Sequence, residues 1–331
     1  MVIMGSRLGT QPPLPEVDLS GKTSVVTGAN TGIGYETAKA LAQLGSKVII
    51  ACRSESKANE AMERMRTEHN EEKADKAKAK VHIKVDELDL AFMTLDLGSL
   101  AATMTFVEAF KTKELQLHIL VCNAGVMWAH DDLTADGYEA HFQVNYLSHF
   151  LLILHLLPVL KSSGPDSRVV LVSSLAYRFS SWNETDIQCK NKDRGDRYSN
   201  SKLYQIMQMF SLAQRLEGSG VNVFSLHPGV VDTELFQREN QPIPSVTKFF
   251  LRAGESMKIL RTPFTGALTS LHAAANPEYN GKTAIYFESS RPHSVTSQAR
   301  NKEKQEILWK YSLECLKDYV TEDTLKELIT T

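Results

Sequence analysis

Thr27-Gly28-Ala29-Asn30-Thr31-Gly32-Ile33-Gly34 is the stretch on which the reading of this chain turns. The run Thr23-Ser24-Val25-Val26 before it predicts a short buried strand. Residues 35–44 after it carry helical periodicity and stop at Gly45, a C-cap glycine. Strand, glycine turn and helix in that order make a phosphate cradle. Glycines let the backbone approach a pyrophosphate, and the helix N-terminus offers unpaired N–H groups and partial positive charge. The glycines fall as G-x-x-x-G-x-G rather than G-x-G-x-x-G. Alone, such a turn also fits a βα connection that binds nothing.

Working outward, apolar runs alternate with helical patterns. Strands are predicted at 48–52, 92–97, 118–122, 168–174, 221–226 and 283–287, in addition to the first. Helices are predicted at 56–67, 100–111, 136–160 and 198–217. Residues 68–80, dense in Lys, Glu and Ala, read as a solvated helix or loop insertion. Strands alternating with helices imply right-handed βαβ units, hence an α/β doubly wound parallel sheet of about seven strands. No internal repeat or Gly/Ser-rich linker divides the 331 residues, so a single domain is expected.

Composition narrows the class. A net charge of -2 gives no electrostatic reason for nucleic acid or an anionic membrane as partner. Apolar residues at 42% and charged residues at 23% are ordinary for a soluble fold. Cys52, Cys122, Cys189 and Cys315 form no CxxC pair, so neither a metal site nor a disulfide framework is suggested, and a reducing, cytoplasmic setting fits. Residues 1–19 hold no apolar core of signal-peptide length, and Pro12-Pro13-Leu14-Pro15 looks like a flexible lead-in over 1–18. The most apolar run, residues 149–160, is short for a bilayer span and carries His149, His155 and Pro158, so a buried helix is expected there and no transmembrane segment.

Ligands of doubly wound sheets sit beyond the carboxyl ends of the strands. Here those ends are the glycine turn, Cys52-Arg53, Asp96, Asn123-Ala124-Gly125, Ser173-Ser174 and Pro228-Gly229. Tyr198-Ser199-Asn200-Ser201-Lys202 then sets a tyrosine and a lysine on one helix face. A free phenol has a pKa near ~10, and a neighbouring ammonium stabilises the phenolate. On spacing alone, the same pair is also a common surface feature.

T-G-x-x-x-G-x-G, N-A-G, a strand-end serine and Y-x-x-x-K, in that order, resemble the short-chain dehydrogenase/reductase family over residues 19–287. Met93-Thr94-Leu95-Asp96-Leu97, Leu117-His118-Ile119-Leu120-Val121-Cys122-Asn123-Ala124 and Phe142-Gln143-Val144-Asn145 are similar to its retinol-dehydrogenase-like branch. The resemblance implies a Rossmann-like domain over 19–290, with a substrate lid at about 230–263 and a helical extension over 291–331. It implies Tyr198 as acid/base, Lys202 on the nicotinamide ribose and lowering the tyrosine pKa, and Ser174 on the substrate carbonyl. Asn145 would anchor a relay water. The second serine of the pair takes the family role, so Ser174 is chosen over Ser173. Cys122 stands where an asparagine is more usual, and residues 182–197 form an insertion seen in this branch. The implied cofactor contacts are Gly28, Asn30, Thr31, Gly32, Ile33, Gly34, Asp96, Leu97, Asn123, Ala124, Gly125, Tyr198, Lys202, Pro228, Gly229, Val231 and Thr233.

The second strand ends without the acid that would bind a ribose 2′-hydroxyl, and Arg53 follows it. A guanidinium suits a phosphate, so the expected cofactor is NADP(H), the other reading being a surface arginine with no phosphate. Asp96 resembles a residue near the adenine and is equally a helix cap. Phe249-Phe250-Leu251, Met257 and Ile259-Leu260 give the lid an apolar character. That suits a hydrophobic carbonyl or alcohol such as a retinoid, steroid or lipid aldehyde, and equally suits simple packing. Residues 301–320 read as an amphipathic helix covering the core, with peripheral membrane contact as the lesser alternative. Family members often form homodimers through the helices expected here at 136–160 and 198–217. The contrasting function is a cofactor-binding scaffold with little turnover.

Overall fold

The structure is a computed structural model, and it describes residues 11–114, 116–127, 133–231 and 261–326. Strand β1 (Thr23–Thr27) is buried along its whole length, as a β-branched run with cover on both faces must be. It leads through the glycine turn into α1 (Gly32–Gln43). Gly45, at φ 104, closes that helix where a Cβ would stand 2.9 Å from Ser20 Oγ. There follow β2 (Lys47–Cys52), α2 (Glu55–Ala74), β3 (Leu90–Thr94), α3 (Leu100–Lys113) and β4 (Ile119–Cys122). Next come α4 (Ala140–Ser162), β5 (Ser167–Val172), α5 (Arg194–Arg215), β6 (Val221–His227) and α6 (Pro263–Ala275). The chain finishes with β7 (Ile285–Glu288), β8 (Arg291–Pro292), α7 (Ser297–Arg300), α8 (Lys302–Cys315) and α9 (Glu322–Lys326).

The sheet order is β3-β2-β1-β4-β5-β6-β7-β8. The first seven strands are parallel, and β8 pairs antiparallel with β7. The order reverses between β1 and β4, which opens a crevice at their carboxyl ends. Alternate side chains feed two cores. Val25, Ile49, Leu120 and Val169 pack with Phe106, Phe110, Phe150 and Leu203 of α3, α4 and α5. Val26, Ile50, Val121 and Val170 pack with Leu41, Met65 and Leu271 of α1, α2 and α6.

Several boundaries differ from expectation. The third strand ends at Thr94, so Asp96 lies beyond it in a turn, its Oδ1 accepting from Gly98 N at 2.9 Å. The cap of α3 is Ser99, not Asp96. Helix α2 runs on to Ala74, so most of the charged stretch is helix, with turns following. Helix α4 starts at Ala140 and contains a π-helical turn, Gln143–Leu147. Helix α5 starts four residues before Tyr198 because Asp193 caps it through Asp196 N at 2.8 Å. The two-residue β8 has no periodicity to announce it, and it places the start of the expected helical extension in the sheet.

In the described part of the lead-in, Gln11 Nε2 donates to Thr265 O at 2.9 Å, Pro12 O pairs with His272 Nε2 at 3.1 Å, and Val17 is buried. These residues are docked, contrary to the flexible reading. Helix α4 is, at 23 residues, long and apolar enough to cross a membrane, yet 78% of its most apolar window is buried in the protein. The tail explains part of that burial. Trp309 of α8 sits edge-on to Phe150 at 4.9 Å, Arg215 lies 4.0 Å over Trp309, and Tyr146 bonds Ser312 at 2.8 Å. The chain's own C-terminal helix thus covers α4 and α5, the two helices expected to meet a partner copy. Most of the lid, 232–260, and with it Thr233, lies outside the described residues.

Candidate active site at the carboxyl edge of the sheet

The glycine turn is held from two sides. Gly28, at φ 66, donates its N–H to Ala51 O at 2.8 Å. Asn123 Nδ2 donates to Thr27 O at 2.9 Å. A Cβ on Gly34 would lie 2.4 Å from both Asn123 Nδ2 and Gly28 O, so only glycine fits. Thr31 makes no side-chain cap to α1, and no acid occupies the first turn. The first N–H groups of α1 therefore have neither a side-chain cap nor an intrahelical partner, with Asn30, Thr31, Gly32 and Ile33 half-buried around them. An uncapped helix start beside a cradle that a Cβ would fill suits the pyrophosphate of a dinucleotide. At the tip of β2, Arg53 is exposed and makes no hydrogen bond or ion pair with a described residue; Ser54 caps α2, and no carboxylate stands in the Cys52-Arg53-Ser54 turn.

Next to this cradle, Thr27 Oγ1 accepts from Asn123 N and Ala124 N, each at 2.9 Å, and pairs with His149 Nε2 at 3.0 Å. His149 Nδ1 faces Asn145 O at 3.3 Å. A carbonyl only accepts, so Nδ1 carries the proton and Nε2 receives the Thr27 hydroxyl. Complete burial holds the His149 pKa down at about 3, and the ring is neutral. Leu97 O, beside Asp96, accepts from Ser148 Oγ at 2.7 Å, which ties the β3 turn to α4.

Asn145 lies on the π-helical turn of α4, a distortion frequent at functional sites. Its Oδ1 accepts from Val126 N at 2.7 Å, and its Nδ2 donates to Val126 O at 2.9 Å and to Ser201 Oγ at 3.0 Å. Its main-chain carbonyl accepts from Gln205 Nε2 at 2.8 Å as well as from His149. Every polar group of the side chain has a protein partner, so Asn145 clamps the turn after β4 to α5. Gly125 has no room for a side chain here: a Cβ would stand 3.1 Å from Asn145 Oδ1 and 3.4 Å from Lys202 Nζ.

The strand-end serines separate by direction. Ser173 Oγ is buried and donates to Lys202 O at 2.7 Å. Ser174 starts a 3-10 turn, Leu175–Phe179, its hydroxyl accepts from Ala176 N at 3.2 Å, and it faces the Tyr198 phenol. Lys202 Nζ lies 5.7 Å from the centre of the Tyr198 ring and donates to Val172 O at 3.0 Å. Burial raises the Tyr198 pKa to about 12, the Ser174 hydroxyl working against it. Burial likewise lowers Lys202 to about 7. The expected depression of the phenol by the ammonium is therefore not found in the protein alone. Both groups are fully desolvated, and desolvation disfavours both charges.

Pro228 and Gly229 follow β6. Arg261 Nη1 donates to Pro228 O at 2.8 Å, and a Cβ on Gly229 (φ 92) would lie 2.7 Å from the guanidinium. Val231 bridges to Arg261, and with Ile33 it fills the space that a Cβ on Gly266 would need. Three groups escaped the sequence reading. Arg261 is distant in sequence and had no signal. His141 packs edge-on to Tyr198 at 6.3 Å, its Nδ1 on Glu139 Oε1 at 2.6 Å, and nothing in sequence linked it to the tyrosine. Gln205 lies three residues after Lys202 on one helix face, and helical spacing could have found it.

Comparison with known proteins agrees with this geometry. Residues 22–244 match the short chain dehydrogenase family. Human Retinol dehydrogenase 12 is 38% identical over 301 residues, 91% of this chain and 88% of that protein. The WW domain-containing oxidoreductase of Gallus gallus is 37% identical over 89% of this chain and 68% of its own length. Among solved structures, the RhlG/NADP active-site complex of Pseudomonas aeruginosa superposes with a TM-score of 0.61 at 25% identity, covering 82% of this chain and 96% of that one. The chain belongs to the short-chain dehydrogenase/reductase family of oxidoreductases.

Proposed function

We propose that this protein is an NADP(H)-dependent oxidoreductase that interconverts a carbonyl and an alcohol on a hydrophobic substrate. The observation that carries the reading is the convergence of Ser174, Tyr198 and Lys202 beside the glycine cradle. The nicotinamide supplies the hydride chemistry. The Ser174 hydroxyl orients the substrate oxygen, and Tyr198 Oη holds the proton that this oxygen gains or loses. With a pKa of about 12, the phenol is protonated at neutral pH and can donate to a carbonyl oxygen. Lys202 binds the nicotinamide ribose, and added anionic charge from the cofactor favours its ammonium form. The uncapped start of α1 holds the pyrophosphate, and Arg53 takes the 2′-phosphate.

Retinol dehydrogenase relatives and the apolar lid composition support a retinoid, steroid or lipid aldehyde as substrate class. The four cysteines are free, which supports a cytoplasmic, reducing setting. Fluorescence titration with NADPH and with NADH tests the cofactor. A charge-assisted bond is worth about 1.5–3 kcal/mol, so Arg53→Ala weakens NADPH ~10–150-fold and leaves NADH almost unchanged. Tyr198→Phe lowers turnover of a hydrophobic aldehyde ~10²–10⁴-fold with NADPH binding kept. Equal affinity for both nucleotides overturns the Arg53 assignment. Unaltered cellular function in the Tyr198 variant favours the scaffold.

A further inference from the structure

Gln205 is fully buried on α5. Its Oε1 accepts from Lys202 Nζ at 3.3 Å, and its Nε2 donates to Asn145 O at 2.8 Å. The chemistry of the partners fixes the amide orientation, since an ammonium only donates and a carbonyl only accepts. The second acceptor direction of Asn145 O faces His149 Nδ1. Lys202 spends another N–H on Val172 O. Gly125 packs on another side of Nζ, where a Cβ would stand 3.4 Å away.

We propose that Gln205 is a positioning residue of this site: its amide bridges Lys202 Nζ to the Asn145 carbonyl, holds the ammonium toward the cleft, and closes its interior side to water. A water at that place would join Lys202 to Asn145 and extend a proton path inward. The amide makes the same two bonds and is fixed covalently, so it holds the place such a water would take. This rests on the functional reading above. The titratable groups facing Nζ are Tyr198 on its own helix and His149 on α4, and burial alone moves the lysine, no described carboxylate contributing.

The test is an NMR titration of the Lys202 side chain (15Nζ and 13Cε labels) in the full chain without cofactor. Wild type, Gln205→Leu and Gln205→Glu are compared, with circular dichroism and melting to establish folding. Gln205→Glu places a carboxylate at the ammonium and raises the midpoint by about one pH unit or more; Gln205→Leu removes an acceptor and lowers it. Coincident midpoints in folded variants overturn the bridge. Should the variants fail to fold, the wild type decides alone. The Gln205 side-chain NH₂ signals must be protected from exchange and must shift through the Lys202 transition; fast exchange or no shift overturns it. Failure of wild type to bind NADPH or NADH overturns the functional reading, and with it the role, independently of the midpoints.

Discussion

Thr27→Val removes one oxygen and keeps the shape of a fully buried side chain. That oxygen joins β1 to the turn after β4 and to α4, through Asn123 N, Ala124 N and His149 Nε2. Asn123 N keeps a second acceptor, Val121 O at 3.0 Å. Ala124 N loses its acceptor, and His149 Nε2 loses the hydroxyl that donated to it. A buried polar group left without a partner costs about 1–3 kcal/mol, so the substitution is expected to destabilise by about 3 kcal/mol. Unfolding entropy near 2.1 cal/mol/K per residue puts the drop in Tm at about 4 °C for a chain of this size. Urea unfolding at pH 7 measures the free energy, and a cycle with His149→Leu isolates the coupling, expected at about 1 kcal/mol or more. Nucleotide binding should weaken as well, because the released turn borders the cradle. A loss below ~0.5 kcal/mol, or strict additivity with His149→Leu, would refute the network and the tautomer assigned to His149.

Three further outcomes follow from the same geometry. Gly34→Ala forces a Cβ to 2.4 Å from Gly28 O and Asn123 Nδ2, and is expected to cost about 1–3 kcal/mol and to abolish tight NADPH binding, read by fluorescence titration; unchanged affinity would contradict the cradle. His149 has its folded pKa depressed from 6.5 to about 3, so the unfolded chain binds the extra proton between those values. Its contribution is complete above about pH 6.5 and fades as pH falls toward 3, by up to ~1.4 kcal/mol per pH unit; His149→Leu should flatten that slope in urea midpoints at pH 7, 6 and 5, and a parallel decline in both proteins would count against it. Lys39 is buried, and although burial opposes its charge, the Glu68, Glu36 and Glu72 carboxylates raise its pKa to about 12. Lys39→Met leaves the buried Glu72 without its ammonium partner and should cost about 3–5 kcal/mol in urea unfolding at pH 7; a cost below ~1 kcal/mol would argue against the ion cluster.

Much of this was legible along the chain because the determining signals are local. A βα glycine turn needs its glycines within eight residues, a buried strand is a short apolar run, and Tyr198 and Lys202 are one helical turn apart. Those features gave the doubly wound sheet and set Tyr198 and Lys202 on one helix face. Local patterns failed where a partner distant in sequence sets the outcome. The third strand stops at Thr94 because its pairing with β2 ends at Cys52, and Asp96 then bonds its own turn. β8 exists only through its pairing with β7.

The sequence by itself determined the order of strands and helices and the cradle, since periodicity and spacing act over a few residues, and its resemblance to the family singled out Ser174, Tyr198 and Lys202. Only the tertiary structure decided that Gln205 joins Lys202 to Asn145, and that α8 seals α4 and α5. Those arrangements depend on which side chains long-range packing removes from water. The same removal sets the charges: it holds Tyr198 protonated and brings Lys202 to about 7, values that no spacing of residues encodes.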